Sequence, residues 1–354
     1  MNNIKTDSTA FVALLREMIR TASFSGQEAG VAELIRAFLA DRGVETLARG
    51  NNVIARNRFF TPGRPTILLN SHLDTVRPNA GYTRDPFDPA VEDDRLYGLG
   101  STDAGASVVS LIATFLHFYP QEGMAYNLCL ALTAEEERSG AGGIESIWNE
   151  LTPIDFAIVG EPTEMQMAVA EKGLLVIDCT AQGQSGHAAR REGVNAIYKA
   201  AREIAWFETF RFPEVSPWLG EVSMAVTIVN GGTQHNVIPA ECTYTVDIRL
   251  TERYSHEEVL ETIRSHVESR VTPRSVRLRP SSIAVEHPLI QAGLRLGLTA
   301  FGSPTLSDQA LIPAPSLKIG PGRFQRSHTA DEYVLISEIE TGIKTYIDLL
   351  NSIL

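Results

Sequence analysis

A histidine and an aspartate, two residue types that bind metals, stand at His72 and Asp74, directly after the apolar run Thr66–Leu69. A simple turn at the end of a strand would be served better by Gly, Asn or Pro, so this pair indicates a site. Similar side chains follow other predicted strands and loops along the chain: Asp103, the triple glutamate Glu135–Glu137, Glu161 and His328.

Each of these residues by itself is most often a cap, a turn or part of a solvated face. Several carboxylates gathered at one edge of a sheet would repel one another strongly unless cations neutralised them. Mixed histidine and carboxylate ligands suit zinc, with cobalt or manganese as substitutes. Two metals bridged by one carboxylate are a known hydrolytic arrangement, so the set favours hydrolysis at a metal centre.

The surrounding elements predict how these residues come together. Continuous apolar strands alternate with helices in the N-terminal part, which indicates an α/β fold with a largely parallel sheet covered on both faces. Ligands of such a sheet collect beyond the carboxyl ends of its strands. The strands are predicted at about residues 53–55, 66–69, 126–133, 155–159 and 316–319, and the helices at 11–19, 31–39, 103–118, 144–151, 288–300 and 336–350.

At about residue 174 the pattern changes to shorter, alternating strands. They are predicted at 174–180, 222–229, 242–250 and 275–278, with one helix after the first strand and another opened by a capping box from Ser255 to Glu258. This β-α-β-β-α-β order is the split, ferredoxin-like unit. We therefore expect residues 1–173 and 284–354 to form one domain and residues 174–283 to form a small inserted α+β domain.

Composition limits the partners and the compartment. The 354-residue chain has a formal net charge of −12, which argues against nucleic acid or an anionic membrane surface as a partner. Its cysteines, Cys129, Cys179 and Cys242, are far apart in predicted strands, as expected of buried thiols rather than a disulfide framework. No stretch resembles a signal peptide or a membrane span. A reduced, cytoplasmic protein is expected.

Short motifs span nearly the whole chain: SHLDTV, YGLGSTDAG, TAEEERSG, VGEPT, GQSGHAA, HNVIP, DIR and RSHTAD. In this order they resemble the motifs of the acetylornithine deacetylase, succinyl-diaminopimelate desuccinylase and aminoacylase family of dinuclear zinc amidohydrolases. The resemblance implies a zinc-exopeptidase-like catalytic domain with a mixed, largely parallel sheet. It also implies that the inserted domain is a lid and dimerisation domain, through which two copies form a homodimer.

The resemblance also implies the ligands of two zinc ions. Each is the residue of this sequence that matches a ligand position in one of the motifs. His72 and Glu161 would hold one zinc ion, while Glu137 and His328 would hold the other. Asp103 would bridge the two metals.

Two further roles follow from the same motifs. Asp74 would orient His72 and hold its tautomer, and Glu136 would be the general base that takes a proton from water and delivers it to the leaving amine. The family's acidic pair follows a threonine and two further positions, as in TAEEE. Glu135 replaces the aspartate that is usual there, so a register one residue earlier, with Glu135 as the base, stays an alternative.

Three residues of the inserted domain are implied to contact the substrate. His187, in GQSGHAA, would reach the partner subunit's site and stabilise the tetrahedral oxyanion. Asn236, in HNVIP, and Arg249, in DIR, would bind the substrate carboxylate, since a guanidinium fork matches a carboxylate bidentately. Without the resemblance, His187 would be an ordinary loop histidine. For Arg249, an outward position on a half-exposed strand is an equally good interpretation.

The implied reaction is hydrolysis of the amide bond of a small-molecule N-acyl amino acid. N-acetylornithine or N-succinylornithine, giving ornithine for arginine biosynthesis, is the substrate expected first. Glu161, rather than aspartate, resembles the family's N-acyl amino acid deacylases and carboxypeptidases. Another desuccinylase, an acetylcitrulline deacetylase and a dipeptidase or carboxypeptidase are alternatives. A succinyl group would need a further cation, and the candidates are Lys172, Arg190, Arg191 and Arg323.

Interpretations outside this family have weaker support. Gly98-Leu99-Gly100 leads into a helix as a dinucleotide loop does, but the third glycine is missing and Asp103 would place negative charge where phosphate should bind. The sequence has no G-x-S-x-G elbow of a serine hydrolase. A catalytically silent metal-binding homologue also stays open, although such a protein should have lost a ligand or the base.

Overall fold

The computed structural model describes residues 8–151, 153–190 and 192–354. The chain forms two compact units. The first consists of the described residues up to Val169 together with Ser282–Phe301 and Ser307–Leu354, and the second consists of Ala170–Ser281 and Gly302–Leu306.

The elements are numbered in chain order within these described ranges. The helices are α1 (Thr9–Arg20), α2 (Ala29–Ala40), α3 (Ala106–Phe118), α4 (Ile144–Ile147), α5 (Ala196–Thr209), α6 (His256–His266), α7 (Pro288–Arg295) and α8 (Ile336–Asn351). The strands are β1 (Thr46–Arg49), β2 (Asn52–Arg56), β3 (Thr66–His72), β4 (Val91–Glu92), β5 (Arg95–Tyr97), β6 (Asn127–Thr133), β7 (Phe156–Val159), β8 (Met167–Glu171), β9 (Gly173–Gln182), β10 (Gly186–His187), β11 (Ser223–Gly231), β12 (Val237–Ile238), β13 (Glu241–Leu250), β14 (Arg270–Pro273), β15 (Ser281–Ser282), β16 (Ala300–Ser303), β17 (Ser316–Lys318) and β18 (Tyr333–Leu335).

A mixed sheet forms the centre of the first unit, with the strand order β1-β2-β6-β3-β7-β17-β8-β15. Its middle strands, β6, β3, β7 and β17, are parallel neighbours, whereas β2 joins β6, and β8 joins β17, in the antiparallel sense. The continuous apolar runs in β3, β6 and β7 are buried along their whole length, as expected of strands covered on both faces. The predicted α/β fold with a largely parallel sheet is confirmed.

Helix α3 is apolar on nearly every face because it packs against β3 on one side and against α1 and α8 on others. It begins later than predicted. The preceding segment, Ser101–Gly105, is a distorted turn in which Asp103 and Ala104 have non-helical dihedral angles. Asp103 therefore belongs to the loop before the helix.

The second unit contains β9, α5, β11, β13, α6 and β14. Its antiparallel sheet has the order β11-β13-β9-β14, which is the order of the ferredoxin-like split unit. Inward side chains of these strands and helices share one apolar core. The capping box is present, since the Ser255 hydroxyl accepts the Glu258 N–H and the Glu258 carboxylate accepts the Ser255 N–H.

The predicted strand at 275–278 and the predicted helix at 288–300 also have different bounds in the structure. The last strand of the second unit runs over Arg270–Pro273, so the predicted strand at 275–278 is wrong. Pro273 lacks an N–H and ends the ladder, after which only separate hydrogen bonds continue beside β9, including Leu174 N–H to the Leu278 carbonyl. Helix α7 ends at Arg295 instead of near 300, because Gly297 has a φ of +84°. Within the described residues, no helix has the length and apolarity to cross a membrane.

Candidate active site

The candidate site lies in the first unit, where the carboxyl ends of parallel strands meet. His72 is the last residue of β3, Glu136 and Glu137 follow β6, and Glu161 follows β7. The residues come together because β3 pairs in parallel with both neighbouring strands. This is the edge of an open α/β sheet at which ligands are expected.

The first part of the cluster surrounds the His72 ring. Its Nε2 atom lies 3.0 Å from Asp103 Oδ1, 3.6 Å from Glu161 Oε1 and 3.9 Å from Glu136 Oε2. The His72 side chain is almost fully buried, with a relative exposure of 1%. One imidazole nitrogen therefore faces a group of carboxylate oxygens.

The second part of the cluster surrounds His328, which comes from the loop after β17. Its Nε2 atom lies 3.0 Å from Glu137 Oε2 and 3.5 Å from Asp103 Oδ2. Asp103 thus directs one carboxylate oxygen toward each of the two imidazoles.

Asp74 supports both strand ends. Its carbonyl oxygen lies 2.8 Å from His72 Nδ1, so a neutral ring donates from Nδ1 and leaves Nε2 as an acceptor. Its carboxylate accepts the backbone N–H groups of Glu136 at 3.0 Å and Glu137 at 3.1 Å. The Ser25 hydroxyl donates to the same carboxylate at 2.6 Å. One buried aspartate therefore positions an imidazole and the backbone of two acidic residues.

The three consecutive glutamates point in different directions. Glu136 and Glu137 face the two imidazoles, whereas the Glu135 carboxylate lies 2.7 Å from Arg138 Nη2 and accepts the Gly142 N–H at 3.2 Å. Glu135 also has a positive φ of 60°, which turns the chain between β6 and the short helix that follows. Glu135 would be the base in the alternative register, but its carboxylate lies outside the cluster.

Burial and mutual contact shift the pKa values of the clustered side chains. Burial raises the pKa of Glu161 to about 8 and that of Glu136 well above its usual range. Burial by itself would lower the pKa of His72, but the surrounding carboxylates, Glu136 foremost, raise it well above its ordinary value. The hydrogen bond to Glu137 raises the pKa of His328 to about 9.

The donor set fits divalent metal ions. The potential ligand atoms of His72, Asp103 and Glu137 all lie within 4.8 Å of one another, and so do those of His72, Glu136 and Glu161. Imidazole nitrogen with carboxylate oxygen is a combination that zinc, cobalt and manganese accept. Divalent cations would also relieve the repulsion among the buried carboxylates. These distances do not by themselves separate Glu136 from the ligands.

Sequence analysis missed several supporting residues. Asp308 is buried beside the end of β6, where its carboxylate accepts from the Thr133 hydroxyl at 2.5 Å and from Asn70 Nδ2 at 3.3 Å. Burial raises the pKa of Asp308 to about 6. Glu332 is also buried, and its carboxylate accepts the Asp103 N–H. For Glu332 the available signal was an acid placed directly before the apolar strand YVL.

The remaining predicted site residues belong to the second unit. His187 and Asn236 lie together there, because β10 pairs with β12 and the Asn236 carbonyl accepts the Ala188 N–H at 3.0 Å. His187 Nδ1 accepts the Ala189 N–H at 3.2 Å, so a neutral ring carries its proton on the exposed Nε2. The Arg249 guanidinium is already engaged by Asp247, at 2.7 and 3.0 Å. A substrate carboxylate would have to compete with that pair.

The candidate cations for a succinyl group differ in their environments. Arg323 is paired with Glu164 at 3.1 Å, Arg190 is exposed, and Arg191 lies outside the described residues. Lys172 Nζ donates to the Glu221 carbonyl at 3.2 Å. Burial, and then the nearby Arg249 charge, lower the pKa of Lys172.

Known proteins resemble this chain along most of its length. Residues 68–352 match peptidase family M20/M25/M40. An acetylornithine deacetylase of Proteus mirabilis is 29% identical over 372 residues, covering 96% of this chain and 95% of that protein. A succinyl-diaminopimelate desuccinylase of Cereibacter sphaeroides is 28% identical over 338 residues, covering 90% of this chain and 88% of that protein.

Among solved structures, the YXEP protein of Bacillus subtilis, a dinuclear metal binding peptidase from the M20 family, has a TM-score of 0.73 to this chain. The two share 18% sequence identity, with 98% of this chain and 97% of that chain covered, which shows a common fold. The family resemblance predicted from the motifs is thus confirmed. On the extent of the family match, the chain belongs to peptidase family M20/M25/M40 and is a metal-dependent amidohydrolase.

Proposed function

We propose that this protein is a zinc-dependent deacylase of N-acyl amino acids that releases ornithine from N-acetylornithine or N-succinylornithine. The placement of Asp103 between the His72 and His328 rings carries the proposal, because one carboxylate facing two imidazoles suits a pair of metal ions. Two relatives whose names state deacetylation and desuccinylation support the substrate class.

Each metal ion has its own proposed ligands. His72 and Glu161 would hold one ion, Glu137 and His328 would hold the other, and Asp103 would be a ligand shared by both. Zinc is proposed because of the mixed histidine and carboxylate ligands, with cobalt or manganese as substitutes. When bound, the ions supply Lewis acidity to the amide carbonyl and to the attacking water.

Glu136 carries the proton in the proposed reaction. Its carboxylate accepts a proton from water as the water oxygen bonds to the acyl carbon. As the carbon–nitrogen bond breaks, Glu136 returns that proton to the amine nitrogen, which leaves as the free amino acid. Glu137 has a different partner, the His328 ring, so the two neighbouring glutamates can serve separately as base and ligand.

The second unit is proposed as the lid and dimerisation domain, corresponding to residues 174–283, with residues 1–173 and 284–354 as the catalytic domain. Among the described residues, β11 pairs with β13 only, which leaves its other edge open. Ile228 and Val229 on this strand are about half exposed, at 48% and 52%. An open apolar edge strand is a template for pairing with a second copy.

The motif resemblance supports the proposed roles of the remaining residues. His187 stabilises the oxyanion, and Asn236 and Arg249 bind the substrate carboxylate, for which Arg249 has to release Asp247. A cytoplasmic location is proposed because Cys129, Cys179 and Cys242 are buried free thiols, as expected of a protein from a reducing compartment.

Replacing Asp74 by Asn is expected to weaken metal binding about 10- to 100-fold. The amide would present a donor where the carboxylate now accepts the N–H groups of Glu136 and Glu137. Zinc affinity, measured by competition with a chromogenic chelator, tests this. Asp155→Asn is the matched control, because Asp155 accepts the Thr66 N–H at the opposite end of β3. Equal zinc affinities in the wild type and Asp74→Asn would show that Asp74 has no such role.

Substrate preference is tested by ornithine release from N-acetylornithine and N-succinylornithine, side by side, with zinc-loaded protein. Release that is lost on metal removal and restored by zinc is the expected result. A preference for the succinyl compound would make Lys172 the first candidate for the cation that binds the succinyl carboxylate. Release from neither compound would contradict the ornithine assignment and call for other acyl amino acids and dipeptides. Inactivity on all of them would support the catalytically silent homologue.

A further inference from the structure

Glu332 is a buried acid with no part in the proposed chemistry. It directly precedes β18 and is 2% exposed. Its Oε1 atom accepts the backbone N–H groups of Thr102 at 2.8 Å and Asp103 at 2.9 Å, and its Oε2 atom accepts that of Gly100 at 3.0 Å. Both carboxylate oxygens are therefore used to hold one loop.

Further hydrogen bonds join the same two segments. The Glu332 carbonyl accepts the Gly98 N–H at 2.9 Å, and the Tyr333 carbonyl accepts the Thr102 hydroxyl at 2.7 Å. Next to these contacts, Tyr333 pairs with Tyr97 where β18 joins β5. The loop from Gly98 to Asp103 is thus held along its length by residues 332 and 333.

This loop needs an external acceptor for its backbone. Ser101 and Thr102 are fully buried, and α3 begins only at Ala106. Buried N–H groups without acceptors cost free energy comparable to a lost hydrogen bond. The Glu332 carboxylate supplies the acceptors where the helix does not.

The loop carries Asp103, and the segment before Glu332 carries His328. Asp103 Oδ2 lies 3.5 Å from His328 Nε2, and Asp103 Oδ1 lies 3.0 Å from His72 Nε2. A shift of the loop relative to residues 328–332 would therefore change the distance between Asp103 and one imidazole. Glu332 lies at the junction that determines this distance.

We propose that Glu332 is a positioning residue that holds Asp103 at the distance from His328 needed for two metal ions to bind together. The inference rests on the proposed dinuclear site. Glutamine cannot replace Glu332, because its amide group has one acceptor oxygen for the three N–H groups, and its NH₂ would face a donor in either orientation.

The test measures binding of Zn²⁺ alone to the full-length protein, by competition with a chromogenic chelator, together with thermal unfolding of the metal-free protein. Glu332→Gln is expected to bind the second Zn²⁺ about 10- to 100-fold more weakly than the wild type. Glu332→Asp keeps the charge but shortens the side chain by one carbon–carbon bond, so it should show a loss of the same kind. It serves as the second variant if the Gln protein does not fold.

Asp331→Asn is the matched control. The Asp331 carboxylate accepts the N–H groups of Thr83 and Arg84 at 2.9 and 3.1 Å, so it anchors the same segment to a different loop. Its substitution is expected to lower the unfolding temperature but to leave Zn²⁺ affinity unchanged.

The outcomes separate this inference from the proposed function. A wild type that does not bind two Zn²⁺ ions overturns both. A wild type that binds two, with equal affinity in Glu332→Gln, overturns the positioning role alone. Equal weakening in Glu332→Gln and Asp331→Asn also overturns it, because general loosening of the segment would then account for the loss.

Discussion

Glu136→Gln is expected to lower kcat about 10²–10⁴-fold while the protein keeps its fold and both metal ions. The amide has nearly the shape of the carboxylate but cannot accept the proton of the attacking water. The backbone of residue 136 stays bound to Asp74, and the proposed ligands are unchanged. Turnover at saturating substrate, zinc content and thermal unfolding, measured on the same preparation, test this expectation.

Glu135→Gln is the matched control for this variant, since it makes the same chemical change one residue earlier. The Glu135 carboxylate contacts Arg138 and Gly142 instead of the cluster, so its loss should affect stability more than kcat. The opposite pattern, with turnover retained in Glu136→Gln and lost in Glu135→Gln, would assign the base to Glu135. Loss of zinc from Glu136→Gln would instead identify Glu136 as a ligand.

The sequence indicated where the proposed metal-binding side chains lie because strands and strand ends can be inferred from local patterns. His72 ends one apolar strand, Glu137 and Glu161 follow two others, and parallel strands bring their carboxyl ends to one edge. The fold class could be predicted for the same reason. Which residue is the base and which are ligands was assigned from the motifs. The distances in the cluster do not distinguish these roles, so the assignment is a proposal.

The supporting contacts could not be predicted, because they depend on tertiary geometry. Asp74 was predicted to orient His72, two residues away, but its contacts with Glu136 and Glu137 cross 62 and 63 positions of the chain. Glu332 acts on residues about 230 positions earlier. No spacing rule links such residues, so their roles become visible only when the two segments are placed side by side.

The predicted bounds of the strand at 275–278 are wrong because a missing backbone N–H, rather than the apolar pattern, decides where pairing ends. Val276 and Leu278 alternate with polar residues as strand residues do, but Pro273 precedes them and the ladder with β9 ends there. For Arg249, the alternating pattern indicates an outward position on the strand, but it does not predict the pairing of the guanidinium with Asp247.

His187→Ala is expected to lower kcat about 10²–10³-fold, the usual cost of losing one oxyanion donor. The exposed Nε2–H of the neutral ring is the donor that the proposal requires, since Nδ1 accepts from Ala189. His187 belongs to the second unit and the proposed metal ligands belong to the first. The proposal that each site borrows His187 from the partner subunit therefore needs a test that distinguishes the two chains.

Mixed dimers provide that test. His187→Ala and Glu136→Gln chains, co-expressed with different tags and purified through both tags, should regain about half of the wild-type activity, because one site per dimer combines an intact base with the other chain's histidine. A chain carrying both substitutions, paired with a wild-type chain, should be nearly inactive, since neither site is then complete. If His187 serves its own chain, the results reverse: the first pair stays inactive and the second keeps about half of the activity. Failure to recover any doubly tagged pair would contradict the homodimer itself.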